Sequence, residues 1–137
     1  MIVVAVSGYF DPIHVGHLEL LKLAKQLGDK LVVIVNNDQQ AVLKKGKSFM
    51  NEKDRIEIVS ALQSVDEVFL SIDNDKSVCK SLEFLKPNIF ANGGDRSLNE
   101  IPETAVMKKY SIKMVDGLGA KIRSSSKITG IKCDSKK

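Results

Sequence analysis

The chain's two histidines stand three residues apart, in the run Gly8-Tyr9-Phe10-Asp11-Pro12-Ile13-His14-Val15-Gly16-His17. An apolar segment, Ile2-Val3-Val4-Ala5-Val6, precedes the run, and an amphipathic stretch from Leu18 to Leu27 follows it. A strand, a tight glycine turn and a helix start make a phosphate site, because unpaired backbone N–H groups and the helix dipole favour anions there. Residues three apart can share one side of a helix entrance. His14 and His17 can then both donate hydrogen bonds to a phosphoryl group whose oxygens gain charge during reaction. Zinc binding is a poorer reading, since Cys79 and Cys133 are far from the pair and form no Cys-x-x-Cys unit. A lone His-x-x-His says little; here the preceding strand and Gly8, Phe10 and Asp11 give it weight.

Gly-x-Phe-Asp-x-x-His-x-Gly-His resembles the signature of the nucleotidyltransferase superfamily, and every defining position is filled between Gly8 and His17. The stretches Leu20 to Asp29, Leu31 to Val33, Asn51 to Leu62 and Val65 to Val68 extend the resemblance over nearly the whole chain. They point to the cytidylyltransferase-like branch, typified by glycerol-3-phosphate cytidylyltransferases and by the adenylyltransferase domain of ADP-heptose synthesis. The resemblance implies His14, His17 and Lys44 as catalytic residues. It places Gly8, Tyr9, Phe10 and Asp11 at the nucleotide phosphates, with Gly93 and Asp95 in a second turn. Arg123, Ser124, Ser125 and Ser126 match a hydroxyl-rich helix start that binds the outer phosphates, which suits serine at a cap and first turn. Asp38, Lys47 and Arg55 are the expected acceptor contacts. No protein metal site is implied; Mg²⁺ would arrive on the triphosphate.

Several of these residues also have plainer readings. Asp11 either orients a neighbour or assists metal binding, or it caps its own loop. Lys44 sits in a basic stretch, Lys44-Lys45-Gly46-Lys47, that would serve equally as a solvated loop. Arg55 is either a substrate contact or a surface helix residue paired with nearby acids. The chain also departs from the glycerol-3-phosphate branch: Gln63 and Gly119 replace arginines, Gly46 replaces a second lysine, and Gly93-Gly94-Asp95-Arg96 is nearer to the heptose branch.

The chemistry fits this residue set. In nucleotidyl transfer an acceptor phosphate attacks the α-phosphorus of a nucleoside triphosphate and pyrophosphate leaves. The attacking oxygen is already anionic, so no strong general base is needed. The protein must hold two polyanions in line and offset growing charge.

The elements that must position these residues alternate. Ile2–Val6, Leu31–Val35, Glu67–Ser71, Ile89–Ala91 and Ile112–Val115 read as strands. The first is continuously apolar, as expected for a parallel strand covered on both faces. Helices are expected over Val15–Leu27 with Gly28 as the stop, over Gln39–Leu43 capped by Asp38, and from Asn51 or Glu52 through Leu62. Further helices are expected over Lys76–Leu85, stopped before Pro87, over Pro102–Lys109, and from near Ser124. This alternation predicts an α/β fold with right-handed crossovers. The family resemblance gives it as a Rossmann-like, doubly wound, parallel five-stranded sheet of order 3-2-1-4-5. The ligand crevice then lies beyond strands 1 and 4, where the order reverses.

With 137 residues the chain reads as one domain, 1–137. Its 43% apolar and 28% charged content is that of a globular protein. No apolar run approaches the ~20 residues of a membrane span, and no leader-like segment is visible, so a cytoplasmic location and reduced thiols are expected. The net charge of +4, with no tryptophan and no basic-aromatic interleaving, favours small anions over nucleic acid. The resulting expectation is a homodimeric nucleotidyltransferase, CTP-dependent, acting on a small phosphorylated alcohol or sugar. The alternatives are an adenylyltransferase using ATP on a sugar phosphate or FMN, and a non-catalytic nucleotide-binding regulator.

Overall fold

The computed structural model describes residues 1–11, 13–75, 77–92 and 102–115, apart from the side chain of Lys45. The elements are β1 (Val3–Gly8), α1 (Val15–Lys25), β2 (Lys30–Val35), α2 (Asp38–Lys45), α3 (Glu52–Ser60), β3 (Glu67–Leu70), α4 (Cys79–Leu85), β4 (Ile89–Ala91), α5 (Thr104–Lys109) and β5 (Lys113–Val115). The strands form one five-stranded sheet of order β3-β2-β1-β4-β5, with every neighbouring pair parallel. This is the expected Rossmann-like order. It follows from strands such as β2, whose Leu31 to Val35 are all buried and so must be covered on both faces.

Two cores result. Val4, Val6, Val33 and Val35 pack against Leu21 and Ala24 of α1 and Val59 of α3 on one face. Ala5, Ile34 and Phe90 meet Val78, Leu82 of α4, Met107 of α5 and Ile112 on the other. Behind the carboxyl edge, Gln40 ties α2 to the loop before α4: its Nε2 donates to the carbonyls of Asp75 and Ser77, and its Oε1 accepts from Asn36 Nδ2 and Asn37 N–H.

Several boundaries differ from expectation for local reasons. The cap of α2 is Asn37, whose side chain accepts the Gln40 N–H; Asp38 is the first helical residue. Helix α1 ends at Lys25 with Gln26 as its right-handed C-cap, so Gly28 is not a left-handed stop. A Cβ on Gly28 would come within 2.7 Å of Ile2 Cγ2 and 2.8 Å of its carbonyl oxygen, so this glycine admits close backbone packing. Helix α4 starts three residues late because Asp75 accepts both the N–H and the hydroxyl of Ser77 in a turn. Asp73 then caps Lys80 N–H and Ser81 N–H. Helix α5 starts after Pro102 and Glu103. The expected helix near Ser124 and the tail from Ile131 lie outside the described residues, as does Cys133; Cys79 is a free, half-buried thiol. No described helix is long and apolar enough to cross a membrane.

Candidate active site

The turn after β1 is built around a strained aromatic residue. Phe10 has φ +50, a conformation that costs a non-glycine residue energy and is concentrated at functional sites. It is 2% exposed, and its ring folds back over Gly8. A Cβ on Gly8 would lie 2.9 Å from the Phe10 Cε2 and Cζ atoms, so Gly8 is required by its own neighbour as well as by any phosphate. The other side of the Phe10 ring meets His17, with centroids 4.9 Å apart.

The histidines themselves cap α1. His14 is the N-cap, and its Nδ1 accepts the Gly16 N–H at 3.1 Å. In return His17 Nδ1 accepts the His14 N–H at 3.0 Å. The pair thus forms a reciprocal capping box, with the rings 3.9 Å apart between centroids. Since both Nδ1 atoms accept, each neutral imidazole carries its proton on Nε2, free to donate. Burial, reinforced by the neighbouring His14, lowers the His17 pKa to about 4, so His17 is neutral at physiological pH. Two Nε2–H donors at a helix N-terminus suit an anion whose charge grows.

A cavity of about 440 Å³ opens at the carboxyl edge, lined by Gly8, Tyr9, Phe10, Asp11, His14, His17 and Lys44 together with Asn36, Val78, Asn92 and Glu103, among others. Lys44 Nζ rests over the Tyr9 ring, 4.6 Å from its centroid. The remaining expected residues separate. The Asp11 carboxylate accepts the N–H groups of Phe49 and Met50, so it latches the loop after α2. Lys47 lies exposed on that loop, outside the cavity lining.

Arg55 is neither on the surface nor in the cavity. It is 1% exposed; Nη1 donates to the carbonyls of Tyr9 and Asn36, Nε to that of Met50, and Nη2 to Asp38 Oδ1. It braces the turns after β1 and β2 against the start of α3, and Asp38 is its partner. Gly93, Asp95, Arg123, Ser124, Ser125 and Ser126 lie outside the described residues. Sequence reasoning did not single out Asn36 or Glu103. Asn36 was detectable as a polar residue directly after an apolar strand; Glu103 reaches the cavity only through the fold. Among the described residues no group of three or more His, Cys, Asp or Glu is placed to hold a metal ion.

The parallel sheet with a histidine-capped helix at its switch point defines a nucleotidyltransferase enzyme. Residues 5–129 match the cytidylyltransferase-like family, and the chain belongs to it. Among its relatives, an FAD synthase of Methanothermus fervidus is 42% identical over 109 residues, covering 77% of this chain and 74% of that protein. The bifunctional protein HldE of Gluconobacter oxydans is 36% identical over 115 residues, 82% of this chain but 24% of that protein. A solved structure described as a lipopolysaccharide core biosynthesis protein from Thermoplasma volcanium is 32% identical, with a TM-score of 0.72, covering 85% of this chain and 95% of that one.

Proposed function

We propose that this enzyme transfers an adenylyl group from ATP to a phosphorylated acceptor, with FMN the favoured acceptor and FAD and pyrophosphate the products. The observation that carries ATP and FMN over the CTP-dependent reading is the 42% identity to an FAD synthase. An acceptor phosphate oxygen attacks the α-phosphorus, and the bond from that phosphorus to the bridging oxygen of the β-phosphate breaks. His14 and His17 donate their Nε2–H groups to the reacting phosphates, and Lys44 swings from Tyr9 to the same charge. Neutral His17 donates without giving up its proton. The α1 N-terminus adds its dipole. Mg²⁺ enters with ATP as part of the substrate.

CTP with a small polyol phosphate is the second reading, supported by membership of the cytidylyltransferase-like family. A homodimer belongs to the same proposal, and sedimentation tests it. The function itself is tested by pyrophosphate release from ATP or CTP, each paired with FMN, glycerol 3-phosphate and a sugar phosphate.

A further inference from the structure

Three polar atoms of cavity-lining residues are buried without a partner: the Tyr9 hydroxyl, Asn92 Nδ2 and Glu103 Oε1. Asn92 is 8% exposed and Glu103 5%. Glu103 is held in place by its other oxygen, which accepts the Val78 N–H at 2.9 Å. Burial raises the Tyr9 pKa, and the nearby Glu103 carboxylate pushes the same way against the pull of Arg55. The phenol therefore stays protonated and able to donate. Buried polar groups are ordinarily paired. Three orphans from β1, β4 and the start of α5, brought to one cavity, call for a ligand.

The chemistry of that ligand follows from the atoms. Glu103 Oε1 accepts only, Asn92 Nδ2 donates only, and the Tyr9 hydroxyl donates. A phosphate is repelled by the Glu103 carboxylate, so phosphates belong at the end of the cavity with His14, His17 and Lys44. The Glu103 end takes an uncharged portion. The amino edge of adenine or cytosine offers a donor beside one ring acceptor and leaves one of the three atoms unpaired. An N–H flanked by two carbonyls pairs with all three.

We propose that Tyr9, Asn92 and Glu103 form a donor–acceptor–donor site that reads the imide edge of the acceptor's ring system. This rests on the flavin-phosphate reading of the acceptor given above. Glu103 is thereby a specificity residue for the acceptor and not for the nucleotide.

The test uses FMN and N3-methyl-FMN, in which the imide N–H is replaced, with binding read from flavin fluorescence. The wild type is expected to bind FMN at least about tenfold more tightly, the loss expected for one hydrogen bond to a charged group. Glu103→Gln keeps an oxygen for the Val78 N–H but puts an amide donor where the empty oxygen stood. It should bring FMN to within about threefold of the methylated compound while the KM for ATP stays unchanged. The wild-type comparison needs no variant, so it stands even if Glu103→Gln folds poorly. Equal wild-type affinities, no FMN binding, or a preference that survives Glu103→Gln would overturn the proposal. Pyrophosphate release separates it from the function it rests on. Turnover of FMN with no N3–H preference removes the imide site and keeps the function. FMN binding with that preference but no pyrophosphate from ATP does the reverse.

Discussion

Replacing Arg55 by methionine keeps the buried aliphatic stem and removes every donor of the guanidinium. The carbonyls of Tyr9, Asn36 and Met50 and the Asp38 carboxylate then lose their shared partner. Hydrogen bonds to a charged group contribute about 1.5–3 kcal/mol each. Asp38 is 40% exposed, so water replaces much of what that oxygen loses and its pair adds no more than ~1 kcal/mol. Bonds sharing one guanidinium are not additive, and breaking a buried charged pair typically costs about 3–5 kcal/mol. We take that range for Arg55→Met. For a chain of this length about 3–5 °C is lost per kcal/mol, which gives a drop in Tm of roughly 10–20 °C. Thermal unfolding followed by circular dichroism reads this directly. A variant that melts within about 3 °C of the parent but has a raised acceptor KM would refute the brace. It would return Arg55 to the substrate.

Other outcomes follow from the same geometry. His14→Ala or His17→Ala should lower kcat by about 10²–10³, the loss for one preorganised donor to developing charge; turnover within twofold of the parent would remove that ring from the mechanism. His17 is held near pKa 4 in the fold against 6.5 when unfolded, so the unfolded chain takes up the proton first as pH falls. The wild type should therefore lose stability between about pH 6.5 and 4 more steeply than His17→Asn, and parallel denaturation midpoints across that window would contradict the assignment. Asp11→Ala should release the loop latched through Phe49 and Met50, costing about 1–3 kcal/mol and speeding proteolysis between Gly46 and Met50; unchanged cleavage would show the latch to be unimportant.

The sheet order was legible because long buried strands such as β2 announce themselves as apolar runs, and because alternation leaves few topologies. The β1 turn, with its histidines, was legible as a motif. The dual use of those histidines was not. Nothing in the spacing says that His14 and His17 accept each other's neighbouring N–H groups and so direct their Nε2 protons outward. Arg55 was misplaced for a related reason. A charged residue in a helix beginning Glu-Lys-Asp-Arg looks solvent-facing, and only the convergence of three carbonyl ends makes burial favourable. Helix starts were missed by one to three residues where a distant carboxylate, such as Asp73 below α4, supplies the cap. Glu103 gave no signal, because its importance is a vacancy in hydrogen bonding that exists only once β1, β4 and α5 meet.

The central claim is adenylyl transfer at the histidine-capped turn, and the most direct measurement is pyrophosphate release by the wild type with FMN as acceptor, ATP against CTP. A site built to pair polar groups with one base disfavours another by large factors. The account predicts rapid release with ATP and FMN, FAD as the second product, and little release with CTP. Release with CTP and glycerol 3-phosphate, and none with ATP and FMN, would contradict it.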